Sequence, residues 1–78
     1  MAIVSFSAGQ VVSTYCSAHS MNAWAYIATT TPWRKIQPVS TDGVTNMFVL
    51  LNAAKAGGRL VSGSYDDTTG ELFTLYMN

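Results

Sequence analysis

One run of helical periodicity, Thr41 to Ala56, stands alone in a chain whose remaining segments have the two-residue period of strands or the composition of turns. Val44, Met47, Phe48 and Leu51 fall at i, i+3, i+4 and i+7, and Leu50 and Ala54 widen the apolar arc to about half the circumference at ~100° per residue. Ser40 or Thr41 supplies a hydroxyl to cap the first free amides, and Asp42 suits the positive end of the helix dipole. Gly57-Gly58 supplies the left-handed stop. The far side of this helix carries Thr45, Asn46, Val49, Asn52 and Ala53 with no charge before Lys55, where a solvent-facing arc ordinarily carries Glu and Lys. That arc reads as half-covered, with a neighbouring subunit as the expected cover.

Before the helix, Ile3 to Ala8 alternates with Val4, Phe6 and Ala8 on one side, Gly9-Gln10 punctuates, and Val11 to Ser17 is rich in β-branched residues. The expected structure is a hairpin turning at Gly9-Gln10. Ala18 to Asn22 is a polar connection. Ala23 to Thr29 then alternates Trp24, Tyr26 and Ala28 against Ala23, Ala25 and Ile27, giving one aromatic and one small face. The pattern leaves open whether the aromatic row points into a core or out towards a ligand. Thr29 to Pro32 reads as a turn and Trp33 to Ile36 as a short extended segment, with Pro38 blocking helix. After the helix, Arg59 to Tyr65 and Glu71 to Met77 read as two strands joined by Asp66-Asp-Thr-Thr-Gly70.

Three strands, one helix and two strands is the order of a small OB-like Greek-key barrel, an α+β fold that is mainly β, with five strands and its helix between strands 3 and 4. The 78 residues make one domain, 1–78, which buries only about 60% of the surface its unfolded chain exposes. Outside help for so small a core is limited. Cys16 has no cysteine partner, and Cys16 with His19 offers two of the roughly four ligands of a structural zinc site. Asp, Glu, Lys and Arg make up 10% of the chain against ~25% in ordinary soluble domains, so copies repel one another weakly and a homo-oligomer is expected. Net charge is zero and the cations Arg34, Lys35, Lys55 and Arg59 form no run longer than two, which disfavours binding to a phosphate backbone. No basic start precedes an apolar stretch at Met1 to Val4, and no apolar run approaches the ~20 residues of a membrane span.

From Trp33 to Tyr76 the chain shows an aromatic strand end, a Ser/Thr-capped helix with Leu50-Leu51 and Ala53-Ala54, a glycine stop and a Val-containing strand ending at Tyr65. This order resembles the pentameric B subunits of AB5-type bacterial toxins, over a little more than half of the chain. The resemblance implies a ring of five copies, helices near the central axis, strands paired between subunits and glycan recognition on an exposed face. The single cysteine departs from the internal disulfide usual in those secreted subunits.

Trp24, Tyr26, Tyr15 and Trp33 are the strongest candidates for ligand contact, because the C–H patches of sugar rings pack on aromatic faces without need of charge. The same residue types are equally at home in a core or a subunit interface. Arg34 and Lys35 point to opposite faces of an extended segment, and Arg34, with its planar fork, is the expected carboxylate partner. His19 reads as a surface loop residue, Cys16 as a small buried hydrophobe, and Asp66, Asp67 and Glu71 as turn chemistry rather than a calcium loop. No nucleophile elbow accompanies His19, so catalytic residues, metals and cofactors are not expected. The expected function is non-catalytic glycan binding by an oligomer, with Trp24, Tyr26, Trp33 and Arg34 as contacts. The alternatives are a structural or assembly protein, such as a virion or scaffold subunit, and, less favoured, a single-stranded nucleic-acid binder.

Overall fold

A computed structural model describes residues 2–30 and 33–78. The elements run β1 (Ile3–Cys16), β2 (Ala23–Ile27), a single 3-10 turn (Ala28–Thr30), β3 (Arg34–Lys35), α1 (Thr41–Gly57), β4 (Leu60–Asp66) and β5 (Leu72–Met77). They form a small α+β domain with five antiparallel strands in the order β3-β2-β1-β4-β5 and one helix between strands 3 and 4. The sheet is not closed; just after β3, Ile36 makes one isolated parallel bridge with Leu72, where the Gln37 amide donates to the Leu72 carbonyl at 2.9 Å. Of the turn expected at Thr29 to Pro32, Thr31 and Pro32 lie outside the described residues.

The expected hairpin at Gly9-Gln10 is not formed. β1 is one continuous strand that bends there: residues Ile3 to Gln10 pair with β4 and residues Val11 to Cys16 with β2. The bend is a bulge, since β1 takes three steps from Phe6 to Gly9 while β4 takes two from Gly63 to Val61. Ala8 sits in it at φ 54°, a left-handed conformation that a side chain resists, and its amide is taken up by the Ser62 hydroxyl at 3.0 Å. The extra residue reverses the inward parity, so that Val4 and Phe6 face the core before it and Gly9 and Val11 after it. Gly9 is required by close approach, because a Cβ there would lie 2.5 Å from both Ile27 Cγ2 and Thr29 Oγ1. Short as it is, the segment Trp33 to Ile36 therefore supplies the third strand that the fused pair would otherwise leave missing.

The helix begins and ends where its caps dictate. The Ser40 hydroxyl accepts the Gly43 amide, and Gly58 takes the left-handed position at φ 66° with its N–H bonded to the last turn. Val44, Leu51 and Ala54 are buried against the sheet, and Met47, Phe48 and Leu50 flank them. The rest of the core is Val11, Ala23, Ala25, Ile27, Ile36, Val61 and Leu72, and among the described residues no aromatic side chain is fully buried. On the polar arc, Asn52 accepts the Thr14 hydroxyl at 2.7 Å, and Thr45, Asn46, Asn52 and Ala53 are exposed. Val49 on that arc is 62% exposed. Among the described residues, no helix is long and apolar enough to cross a membrane.

Candidate binding surface

β2 decides which way the aromatic row faces. Ala23, Ala25 and Ile27 point inward and are buried, whereas Trp24 and Tyr26 point outward and are half-covered by their neighbours. The inner side of this strand faces the core that α1 covers, with Ile27 directly opposite Val11 and the two alanines beside it. The two rings take the alternate, outer positions of the strand.

Register then builds the surface. Tyr15 on β1 lies directly opposite Trp24, and Trp24 lies directly opposite Lys35 on β3, so the three share the outer face in one row. Ser13 lies opposite Tyr26 in the next row. Trp33 meets Tyr26 edge-on, with ring centroids 5.9 Å apart and planes at 86°, the geometry in which a ring edge points at a neighbouring π face. Between these rows runs an open groove of about 510 Å³ lined by Tyr15, Asn22, Trp24 and Trp33. Tyr15 is 51% and Trp33 41% exposed.

The groove is held from the β1–β2 loop. The Trp24 indole N–H donates to Asn22 Oδ1 at 2.8 Å, and Asn22 Nδ2 donates to the Ser17 hydroxyl at 2.8 Å. Ser17 Oγ also accepts the His19 amide and lies 3.2 Å from His19 Nδ1. One hydroxyl thus organises the loop, and the loop fixes the indole before any ligand arrives. His19 is exposed in that loop, as expected.

Arg34 stands apart from this surface. Its Nε donates to the Thr30 carbonyl at 2.8 Å and its Nη1 to the Gly70 carbonyl at 3.1 Å, while the guanidinium lies 3.7 Å over the centre of the Tyr65 ring. Those contacts tie β3 to the β4–β5 turn and occupy the planar fork that made Arg34 the expected carboxylate partner. Because neighbouring strand residues alternate, Lys35 is the cation on the aromatic side. The structure thus brings Tyr15, Trp24, Tyr26 and Trp33 together and adds Asn22 and Lys35. Asn22 was signalled only by its place two residues before Trp24, a spacing that sets two strand side chains on one face.

Cys16 corrects a second expectation: it is exposed rather than buried. It ends β1 and borders a smaller cleft of about 190 Å³ between the β1–β2 loop and Val44, Phe48 and Val49 of α1. The acidic cluster is used as turn chemistry. Asp66 Oδ1 accepts the Thr68 amide at 2.8 Å and Asp67 Oδ1 accepts the Ala2 amide at 3.0 Å. On the outer side of β1, β4 and β5, a further open groove of about 430 Å³ lies between Ile3, Ser5, Ser7, Ser64, Thr74 and Tyr76, with Ser64 and Thr74 hydroxyls bonded at 2.6 Å.

No family model matches the chain, and comparison with characterised proteins and with solved structures finds no match.

Proposed function

We propose that this protein is a non-catalytic, B-subunit-like binding module that takes the C–H face of a sugar ring on the Tyr15–Trp24–Trp33 surface and works as a homo-oligomer, a ring of five. The observation that carries the proposal is an outward indole, Trp24, pinned by Asn22 beside two further exposed rings along one groove. Stacked C–H contacts need no charge, and the groove lining carries none. An OB-type barrel is the fold reading that goes with it, supported by the single parallel bridge between Ile36 and Leu72; in such barrels the face of strands 2 and 3 and the loop between strands 1 and 2 bind oligosaccharides and oligonucleotides. Self-association is supported by the low charge content and by exposed apolar side chains away from the groove, Val39, Val49, Phe73 and Tyr76.

The test is a glycan array at high protein concentration followed by titration of the hits, read by tryptophan fluorescence, with light scattering on the same samples. Trp24→Ala is expected to abolish glycan binding and leave the oligomer intact. An array without hits sinks the recognition reading. A second reading, assembly of a larger structure, is favoured by the exposed Ile3 and Tyr76 beside the hydroxyl-lined groove; it predicts that Tyr76→Ala dissolves the assembly and that the array gives no hits. Single-stranded nucleic acid is the least favoured ligand, because Lys35 is the one cation on the aromatic face among the described residues. Salt-sensitive affinity for oligonucleotides would reverse that ranking.

A further inference from the structure

We infer that the groove discriminates among sugars in favour of those bearing a carboxylate, and that Lys35 is the residue that reads it; this rests on the sugar-binding reading above. The placement of the four cations carries the argument. Arg34 is engaged by two carbonyls and the Tyr65 ring, Arg59 Nη2 donates to the Asn78 carbonyl, and Lys55 lies in the last turn of α1, where its charge complements the helix dipole. Lys35 has no such internal employment. The Trp24–Lys35 register sets it on the outer face one strand away from the pinned indole, and among the described residues no Asp or Glu carboxylate lies within 4.0 Å of a lysine or arginine nitrogen.

The aspartates are elsewhere. Asp42 is at the start of α1, Asp66 accepts the Thr68 amide in the β4–β5 turn, Asp67 accepts the Ala2 amide, and none of the groove-lining residues is charged. Glu71 is the one carboxylate that the fold places near β3, since the Ile36–Leu72 bridge makes it the neighbour of Lys35 across to β5. A sugar ring stacked on Trp24 would thus lie beside a positive charge on one flank, with Glu71 as the only competitor for it. An ammonium on a half-exposed stem is a point charge that selects for negative substituents without fixing their orientation.

An exposed ion pair contributes a preference of about two- to fivefold, reduced as salt rises. The experiment compares matched probes by tryptophan fluorescence: lactose against sialyllactose, and methyl-esterified against free tetragalacturonate, so that the two arms separate a terminal sialic acid from a chain uronic acid. The expected result is tighter binding of the acidic member of at least one pair, a preference that disappears in Lys35→Gln, returns in Lys35→Arg and grows in Glu71→Gln. Equal affinity within both pairs, or an acidic preference that survives Lys35→Gln, overturns the inference while leaving sugar binding in place. Absence of binding to all four probes and to a broader array overturns the sugar reading itself, and the inference with it.

Discussion

Replacing Gly9 by alanine tests the bend that lets one strand serve two sheet neighbours and hold the aromatic face in position. The new methyl carbon would sit 2.5 Å from Ile27 Cγ2 and from Thr29 Oγ1, whereas relaxed carbon contacts lie at about 3.5–4.0 Å. About 1 Å has to be recovered on two sides, one of them a fully buried isoleucine at the end of β2, and overpacking of this kind costs about 1–3 kcal/mol. At ~2.1 cal/mol/K per residue, 78 residues give an unfolding entropy of ~0.16 kcal/mol/K, so a loss of ~2 kcal/mol lowers Tm by about 12 °C. Thr29→Ala alone removes an exposed hydroxyl and is expected to change stability by less than about 0.5 kcal/mol. In the double variant one of the two obstructing atoms is gone, so the pair is expected to be less destabilised than the sum by about 0.5–1 kcal/mol. Thermal and urea unfolding followed by circular dichroism, on all four proteins, measure the cycle. A Gly9→Ala variant as stable as the parent, or a strictly additive cycle, would refute the close approach at the bend.

The neighbouring residue should respond in the opposite sense: Ala8→Gly relieves a left-handed alanine at φ 54° and, after the entropic cost of glycine, is expected to raise stability by ~0.5 kcal/mol in the same assay. Arg34→Gln removes two hydrogen bonds to carbonyls and the stack on Tyr65, and is expected to cost about 2 kcal/mol in urea unfolding while sugar affinity of the folded protein stays as it was. Cys16 is expected to react stoichiometrically with a disulfide reagent in the folded protein, without denaturant, and a thiol that reacts only on unfolding would restore the buried reading.

The helix was legible in the sequence because its caps and its period agree: Ser40, the 3.6-residue stripe and Gly58 each fix the same segment. The last two strands were legible for the same reason, with Gly70 closing a turn whose amide returns to the Asp66 carbonyl at 2.7 Å. The bend in β1 was not. Gly9-Gln10 has the composition of a hairpin, and the residue that takes the left-handed conformation is an alanine, which announces nothing.

Alternation in β2 defined two faces without saying which was inside. The structure puts Ala23, Ala25 and Ile27 on the side that packs with the helix and Val11, and the rings on the other. The opposite directions of Arg34 and Lys35 were likewise legible, but which of them joined the rings depended on the register of β3 against β2, a pairing of two residues that no local pattern encodes. Burial of Cys16 was expected from its strand position. The strand ends at that residue, against an open cleft rather than beneath the helix.

The central claim is that the outward rings of β1, β2 and β3 receive a sugar. The chain has two tryptophans, both on that surface, so an ¹⁵N-labelled sample gives two indole N–H signals that Trp33→Phe assigns. Titration with an oligosaccharide selected on the array is predicted to shift both signals, together with the Asn22 side-chain amide, and to leave the amides of Ala25 and Leu51 where they are. Indole signals that stay still while residues around Ile3, Thr74 and Tyr76 move would place recognition on the other face and contradict the account.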